Sequence, residues 1–377
     1  MRQKRFSILH VLLAVVLTLA VTIGGGLLAL RLTVGEGALS LLEGLFLVNT
    51  RFVGEYEPIE AVDAALDGMV KGLGDRWSYY LTAEAYEAQN LRRKNQYVGI
   101  GVTVNYEREE GLLILEVTSG SPAEEAGLLA GEVITSADGT SLAGEARYQG
   151  SEHIRGEAET TVELEVLGTD GSTRTVEVRR EAVPNNPVTY KMLEDSVGYV
   201  KLANFYDNSA QRVRAAVEDL QSQGARALVF DMRGNGGGYL TQLTEMLDFL
   251  LPEGPIFISR SRSGRETVIQ SDAACVDLPM AVLVNAGTYS AAEFFAAQLQ
   301  EDGAAVIVGT PTSGKGYSQQ TFPLPHGGAL NISTAAYFTG DGKSLIGTGL
   351  TLDAQVELTG EGDAQLEAAL SLLASFS

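Results

Sequence analysis

Residues 280–294 read Met-Ala-Val-Leu-Val-Asn-Ala-Gly-Thr-Tyr-Ser-Ala-Ala-Glu-Phe, an apolar run that a short turn joins to a helical segment. The apolar run predicts a buried strand over residues 280–285, and the segment after it predicts a helix over 290–300. Ser290 opens this helix at the positive end of its dipole, beside backbone amides without intrahelical partners. Such a position favours an oxyanion during acyl transfer.

The same segment also has a purely structural interpretation. Ser290 and Glu293 have the spacing of a capping box, in which the two side chains only close the start of a helix. Taken alone, the segment favours this interpretation, so a catalytic role for Ser290 depends on other parts of the chain.

Strands and helices alternate on both sides of this segment, which predicts an α/β core. The core begins after the boundary that Pro184 and Pro187 mark. Its other predicted strands cover residues 198–205, 227–232 and 305–309, and its other predicted helices cover 208–223, 239–251 and 364–376.

A glycine-rich loop after the last of these strands contains Lys315. A serine hydroxyl is a weak nucleophile and needs a base, and a lysine can serve if burial lowers its pKa. Ser–Lys pairs are a known variant of the catalytic triad, and Gln319 has a position from which it could orient the amine. The histidines are poorly placed, since they lie in the N-terminal apolar segment, the β-rich region and a Pro-rich loop (His10, His153 and His326).

The lysine loop also has the two-glycine spacing of a phosphate-binding loop. Such a loop needs Ser or Thr after the lysine and then a helix, whereas Gly316 follows Lys315 here. Residues 317–325 contain Pro323 and Pro325, so they are expected to be extended. These features argue against a nucleotide site.

Residues 229–238 read Val-Phe-Asp-Met-Arg-Gly-Asn-Gly-Gly-Gly and place three consecutive glycines after a predicted strand. Glycines allow a backbone to approach a ligand closely, so these amides could form half of an oxyanion hole. An ordinary strand-to-helix turn is the alternative.

The chain before this core divides into three parts, which gives the predicted domains 1–31, 32–95, 96–182 and 183–377. Residues 36–95 have helical apolar spacing. Residues 96–182 have β character, with predicted strands over 97–104, 112–118, 161–167 and 173–179 and a short helix that Ser121 and Pro122 open.

The first part contains an uncharged run over residues 6–30 after Arg2, Lys4 and Arg5. The run is long enough to cross a bilayer, and the basic flank would stay in the cytosol. We expect a single-pass plasma-membrane anchor with the rest of the chain outside, on the periplasmic or extracellular side. A cleaved signal peptide is the alternative, but its apolar region is usually shorter.

The composition excludes several functions. The 27 basic and 48 acidic residues give a formal net charge of −21, which opposes nucleic-acid binding. One cysteine, Cys275, excludes an internal disulfide and a multi-cysteine zinc site. The histidines show no metal-ligand spacing.

Taken together, these motifs resemble the C-terminal processing peptidases, also called tail-specific serine proteases, from about residue 40 to 357. The matching segments are residues 68–75, 97–101, 120–128 and 231–238, together with Ser290, Ala292 and Glu293 and the loop from Lys315 to Gln319. Tyr289 departs from the family pattern, because a small residue usually precedes the nucleophile there.

The resemblance implies an α/β core of the crotonase/ClpP-like type, an acyl-enzyme endopeptidase and no metal or organic cofactor. It implies Ser290 and Lys315 as the catalytic dyad, with an oxyanion hole of the Ala291 amide and a glycine amide, for which Gly237 is preferred over Gly236 and Gly238. Protein or peptide substrates would bind by their C-terminal tails to a PDZ domain through the segment Val98, Gly99, Ile100 and Gly101.

The resemblance also suggests that Arg155 is regulatory, because an Ile-Arg-Gly at the corresponding place can face the active-site loop. Its guanidinium could hold the side-chain carbonyl of Gln319, and tail binding would then favour this docked state. An ordinary surface arginine is the alternative. Some family members act in signal transduction by cutting regulators at the membrane. The sequence leaves the physiological substrate and a homo-oligomer open, and a catalytically silent PDZ scaffold is the alternative function.

Overall fold

The computed structural model describes residues 8–358, 360 and 362–376. The chain divides into two compact units, Met1–Met69 and Val70–Ser377. The basic residues Arg2, Lys4 and Arg5, on which the predicted membrane orientation depends, lie outside the described residues.

The first unit is helical, as its apolar spacing predicts. Its elements are α1 (Ile8–Val34), α2 (Glu36–Arg51) and most of α3 (Pro58–Lys71). By length and composition, the stretch Ile8–Ala29 of α1 could cross a membrane. A signal sequence has the same properties, so the helix itself does not distinguish the two.

A short strand interrupts the region 36–95 that was predicted to be helical. Residues after α3 form β1 (Tyr79–Leu81), and α4 (Ala83–Arg93) follows with Thr82 as its N-cap. The helical prediction is wrong at β1, because its partner β18 (Ala329–Phe338) lies about 250 residues later in sequence. No local pattern reports such a partner.

The third predicted domain, residues 96–182, folds as a β-rich module. Its main sheet has the order β3-β4-β5-β7-β8, with β6 paired to β5, while β2 pairs with β9. The elements are β2 (Gln96–Gly99), β3 (Val102–Asn105), β4 (Leu112–Val117), α5 (Pro122–Glu125), β5 (Val133–Ala137), β6 (Thr140–Ser141), α6 (Gly150–Ile154), β7 (Thr161–Leu167), β8 (Thr173–Arg179) and β9 (Glu181–Pro184).

One predicted strand of this module, over residues 97–104, is two strands. The chain breaks between β2 and β3 at Gly101, whose φ of +89° is a left-handed value that favours glycine. A Cβ on Gly101 would lie 2.3 Å from the Cβ of Ser121. The carbonyl of Ile100 there accepts the amide of Ala123 instead of joining a sheet.

The remaining residues form the predicted α/β domain around two sheets. One sheet has the order β10-β11-β12-β15-β16-β19 and is parallel from β11 onward, and the other contains β1, β18, β13, β14 and β17. The elements are β10 (Val188–Met192), β11 (Val197–Leu202), α7 (Ser209–Ser222), β12 (Ala227–Asp231), α8 (Leu240–Leu250), β13 (Gly254–Ser261), β14 (Glu266–Ser271), β15 (Met280–Val284), α9 (Ala291–Glu301), β16 (Ala305–Gly309), β17 (Tyr317–Pro323), β19 (Ala354–Gln355) and α10 (Ala364–Leu373).

Helices cover both faces of the parallel sheet, which is why β12 and β15 are buried at every residue. On one face, Phe294 and Phe295 of α9 pack in a core that includes Phe230. On the other face, Ala369 and Leu373 of α10 pack in a second core. Because β12, β15 and β16 are parallel neighbours, the segments that follow them meet at one edge of the sheet.

Candidate active site

Ser290 lies in the turn between β15 and α9, at the N-cap position of the helix, but its side chain does not cap the helix. Its φ of 59° and ψ of −129° fall outside the usual regions for a non-glycine residue, and its side chain makes no capping hydrogen bond. The capping-box interpretation of Ser290 and Glu293 is therefore wrong. Backbone strain of this kind concentrates at functional sites, where the surrounding structure maintains it.

The fully buried side chain of Glu293 explains why the capping box does not form. Its carboxylate accepts the amides of Gly314 and Lys315 at 2.8 and 3.0 Å and also the hydroxyl of Thr312. Burial raises the pKa of Glu293 above its usual value, against these hydrogen bonds, which lower it. Glu293 thus joins α9 to the lysine loop, a role that reasoning from the sequence missed.

The side chain of Lys315 is partly buried. Burial lowers its pKa to about 8, which the nearby carboxylate of Asp75 opposes and the guanidinium of Arg93 supports. About a tenth of Lys315 is therefore a neutral amine at pH 7, far more than for a lysine with its usual pKa. The neutral form is the one that a general base requires.

A single cleft of about 640 Å³ brings the predicted residues Ser290, Ala291, Lys315 and Gln319 together. The side chain of Gln319 donates to the carbonyl of Tyr317 at 2.6 Å and to the hydroxyl of Ser333 at 3.1 Å. Among the described residues, the Gln319 side chain therefore forms its hydrogen bonds away from the amine of Lys315.

Tyr337 also lines this cleft, on β18, and reasoning from the sequence missed it. Its hydroxyl donates to the backbone carbonyl of Lys315 and interacts with the side chain of Ser290. Burial raises the pKa of Tyr337 far above its usual value, so this hydroxyl stays protonated. No sequence pattern identifies Tyr337, because its role comes only from the position of β18.

The glycine-rich turn approaches the start of α9 closely at Gly237. A Cβ there would lie 2.7 Å from the amide nitrogen of Ala291 and 2.9 Å from the Cβ of Ser290. Gly237 also has a φ of +84°, so glycine is required for two independent reasons. Its own amide donates to the side-chain oxygen of Asn235 at 2.8 Å, a bond with which an oxyanion at this amide would compete.

A charged network fixes this turn from the other side of the sheet. The guanidinium of Arg233 pairs with Asp231 and with Asp363, each at 2.7 Å. Asp363 is also the N-cap of α10, so the last helix holds the glycine-rich turn in place.

A second, smaller depression lies in the β-rich module. It is lined by the predicted residues Gly99, Ile100 and Gly101, and by Arg155. Val98 is not among the lining residues and pairs with Ala182 in the sheet. The other lining residues, from β2, β3 and α6, are Tyr97, Val102, Val104, Ser151 and Ile154.

Arg155 lies in this depression, with its guanidinium carbon 5.9 Å from the ring centroid of Tyr97. Within the described part of the chain, the Gln319 side chain bonds Tyr317 and Ser333 and not Arg155, so the predicted bond between Arg155 and Gln319 does not form in this structure. In this structure, Arg155 therefore belongs to the depression and not to the catalytic cleft.

No group of three or more His, Cys, Asp or Glu side chains suited to a metal ion occurs within 8–358, 360 and 362–376. Cys275 is exposed and free.

The comparisons with known proteins identify relatives over most of the chain. Residues 196–356 match peptidase family S41, and residues 97–179 match the PDZ domain. The carboxy-terminal-processing protease of Bartonella bacilliformis is 32% identical over 320 residues, or 82% of this chain and 73% of that protein. The carboxyl-terminal-processing protease of Synechocystis sp. is 32% identical over 330 residues, or 83% and 77%. The solved structure of a photosystem II D1 C-terminal processing protease is similar with a TM-score of 0.50, at 28% identity over 86% of this chain and 87% of that one.

The bonds of Glu293 predict that even an isosteric amide will loosen the lysine loop. Glu293→Gln places an NH₂ group where a carboxylate oxygen now accepts a hydrogen bond from a backbone amide. That buried amide then has no acceptor. We expect the free energy of unfolding to fall by about 2 kcal/mol and amide hydrogen exchange at Gly314 and Lys315 to accelerate. Glu218→Gln, at an exposed position on α7, is the matched control. Unchanged protection at these two amides in Glu293→Gln would contradict this role.

Proposed function

Because the chain belongs to the carboxy-terminal-processing proteases of peptidase family S41, which are serine proteases, we propose that it cuts proteins with Ser290 as nucleophile and Lys315 as general base. The predicted family, the PDZ domain and the α/β protease fold are confirmed. The dyad, the tail specificity and the membrane anchor are our proposals.

One observation carries the dyad assignment. Ser290, in a strained turn at the start of α9, lines the same cleft as Lys315, whose pKa burial lowers to about 8. A strained nucleophile opposite an easily deprotonated amine is what acyl transfer without histidine requires. The residue Tyr337, which contacts both partners, supports the pairing.

The proposed chemistry has two steps. In the first, the neutral amine of Lys315 takes the hydroxyl proton of Ser290 as the serine oxygen attacks the scissile carbonyl carbon. The peptide C–N bond then breaks, the leaving amine takes the proton from the lysine ammonium, and an acyl-enzyme remains. In the second, Lys315 takes a proton from water, which attacks the ester and releases Ser290 with its proton restored.

The negative oxygen of each tetrahedral intermediate needs donors beside the reacting carbon. We assign this role to the amide of Ala291, at the N-terminus of α9, and to an amide of the glycine-rich turn. The approach of Gly237 to the Ala291 nitrogen supports this pairing of segments. Because the Gly237 amide already donates to Asn235, the adjacent amides of Gly236 and Gly238 stay as alternatives.

The dyad predicts two linked results for cleavage of an unstructured protein by the full chain. Ser290→Ala and Lys315→Met should each lower kcat/KM at least about a thousandfold, because the members of such a unit act together. In the wild type, kcat/KM should rise with pH, with a midpoint near 8 and a plateau about one unit higher, since only the neutral lysine is a base and it predominates above its pKa.

The matched control is Lys201→Met, at an exposed position on β11, which should cleave like the wild type. Circular dichroism checks that the inactive variants are folded. Retained cleavage in folded Ser290→Ala and Lys315→Met would show that the dyad assignment is wrong.

We further propose that the depression of the PDZ domain binds the C-terminal tails of substrates, as PDZ domains do by strand addition. Apolar side chains from Ile100, Val102 and Ile154 line it and suit an apolar last residue. The guanidinium of Arg155 lies at the same depression, where it can attract the terminal carboxylate.

The tail proposal predicts that Arg155→Ala weakens binding of a free apolar-tailed peptide about tenfold, as for loss of one charge-assisted hydrogen bond. Fluorescence anisotropy with a labelled peptide measures this affinity. If Arg155 also regulates catalysis, the variant should lose the change in cleavage rate that added tail peptide causes. Unchanged affinity together with an unchanged response to the peptide would contradict both roles.

The apolar stretch Ile8–Ala29 supports our proposal of a membrane anchor. The basic residues before it in the sequence would leave the protease on the outer face of the plasma membrane. The full chain should then sediment with membranes at high salt, and added protease should digest the region after residue 31 in intact cells. Sequencing the mature N-terminus is the decisive check. A mature chain that begins after residue 30 would identify a cleaved signal peptide instead.

A further inference from the structure

The amine of Lys315 lies over the faces of two aromatic rings. Its nitrogen is 4.8 Å from the ring centroid of Trp77 and 5.8 Å from that of Tyr289. The two rings contact one another, with centroids 5.7 Å apart and planes inclined by 33°. A cation within about 6 Å of a ring centroid is attracted by the negative face of the ring, and more strongly where water is excluded.

Both rings are held in place by their surroundings. The backbone amide of Trp77 donates to the carboxylate of Asp75 at 3.1 Å, and the guanidinium carbon of Arg76 lies 4.2 Å from the indole centroid. The phenol of Tyr289 occupies the space beside Gly236, where a Cβ would lie 2.6 Å from the phenol oxygen. The two rings therefore form the surface against which the lysine side chain rests.

We propose that Trp77 and Tyr289 form an aromatic box that binds the protonated side chain of Lys315 and thereby sets the pH at which the lysine becomes a base. This inference rests on the proposed function, since it assigns positioning residues to the proposed general base. The box favours the ammonium form, whereas burial favours the neutral amine. The balance of the two determines how much enzyme is active at a given pH.

Other charged and titratable groups face the same amine and act alongside the box. The carboxylate of Asp75 favours the ammonium form, and the guanidinium of Arg93 on α4 opposes it. Glu293 is committed to the backbone amides of the lysine loop, and the hydroxyl of Tyr337 to the Lys315 carbonyl. Arg76 stacks on Trp77 itself. A test must therefore change the rings without changing these charges.

Trp77 permits such a test because it is the only tryptophan in the chain. Biosynthetic incorporation of 5-fluoro-, difluoro- and trifluorotryptophan would change this single ring. Each fluorine withdraws electron density from the ring face but nearly preserves its shape, so it weakens only the attraction for a cation. We expect the midpoint of the pH dependence of kcat/KM to fall stepwise, by about half a unit to one unit for the trifluoro form.

The same tryptophan provides a readout that does not depend on cleavage. Its fluorescence in the full chain should change between pH 7 and 9 in the wild type, with a midpoint near the lysine pKa of about 8. The change should be absent in Lys315→Met. It should persist in Arg76→Gln, which removes the other cation on the indole and leaves Lys315 in place.

Two substitutions provide the corresponding test of the box by mutation. Tyr289→Leu and Trp77→Leu keep the site apolar but remove a ring, so each should move the activity midpoint to lower pH, whereas Trp77→Phe should move it less. If a leucine variant does not fold, the fluorotryptophan series still decides the question.

The proposal is overturned if fluorination leaves the activity midpoint unchanged, or if the fluorescence of wild type and Lys315→Met titrates alike. A wrong dyad assignment would give a result that differs from failure of the aromatic box. In that case Lys315→Met retains cleavage, while the fluorescence change of the wild type still disappears in this variant.

Discussion

The carboxylate of Glu293 joins the start of α9 to the lysine loop after β16, where Gly314 and Lys315 lie 21 and 22 residues later in the sequence. A buried carboxylate must be satisfied by hydrogen bonds, and here two backbone amides and a hydroxyl satisfy it. Because these donors belong to the loop that carries Lys315, the loop cannot move away from α9 without leaving a buried charge unpaired. The position of the lysine relative to Ser290 therefore follows from one internal interaction.

The parallel sheet determines which segments this interaction can join. Strands β12, β15 and β16 are adjacent and run in the same direction, so the glycine-rich turn, the serine turn and the lysine loop all leave the sheet at one edge. The two turns pack so closely that Gly237 has no room for a side chain. A shared edge and close backbone contact thus bring the glycine-rich turn, Ser290 and Lys315 together in one cleft.

Much of this arrangement could be predicted from the sequence, because buried parallel strands and glycine-rich turns have local patterns. The apolar runs at β12, β15 and β16 predict the strands to within about a residue, and the glycine turn and Lys315 follow directly from them. The spacing of Ser290 and Glu293 suggested a capping box as the alternative to a catalytic serine. The structure shows a tertiary contact of Glu293 instead, and local spacing does not separate these two arrangements. No local sequence pattern predicted the strand β1 or the presence of Trp77 and Tyr337 in the cleft. The partners of these residues lie hundreds of residues away or on another sheet.

The lowered pKa of Lys315 shows that burial and nearby charges outweigh the net charge of the protein at this site. A net charge of −21 attracts protons to every amine and would alone raise the pKa of a lysine. Salt screens charges beyond about 8 Å at physiological ionic strength, so most of the acidic surface has little effect inside the cleft. Burial acts at the amine itself and is not screened, which is why its pKa falls despite the overall charge and the nearby Asp75. The acidic composition therefore has little effect on the protonation of Lys315, which depends on the few groups close to its amine.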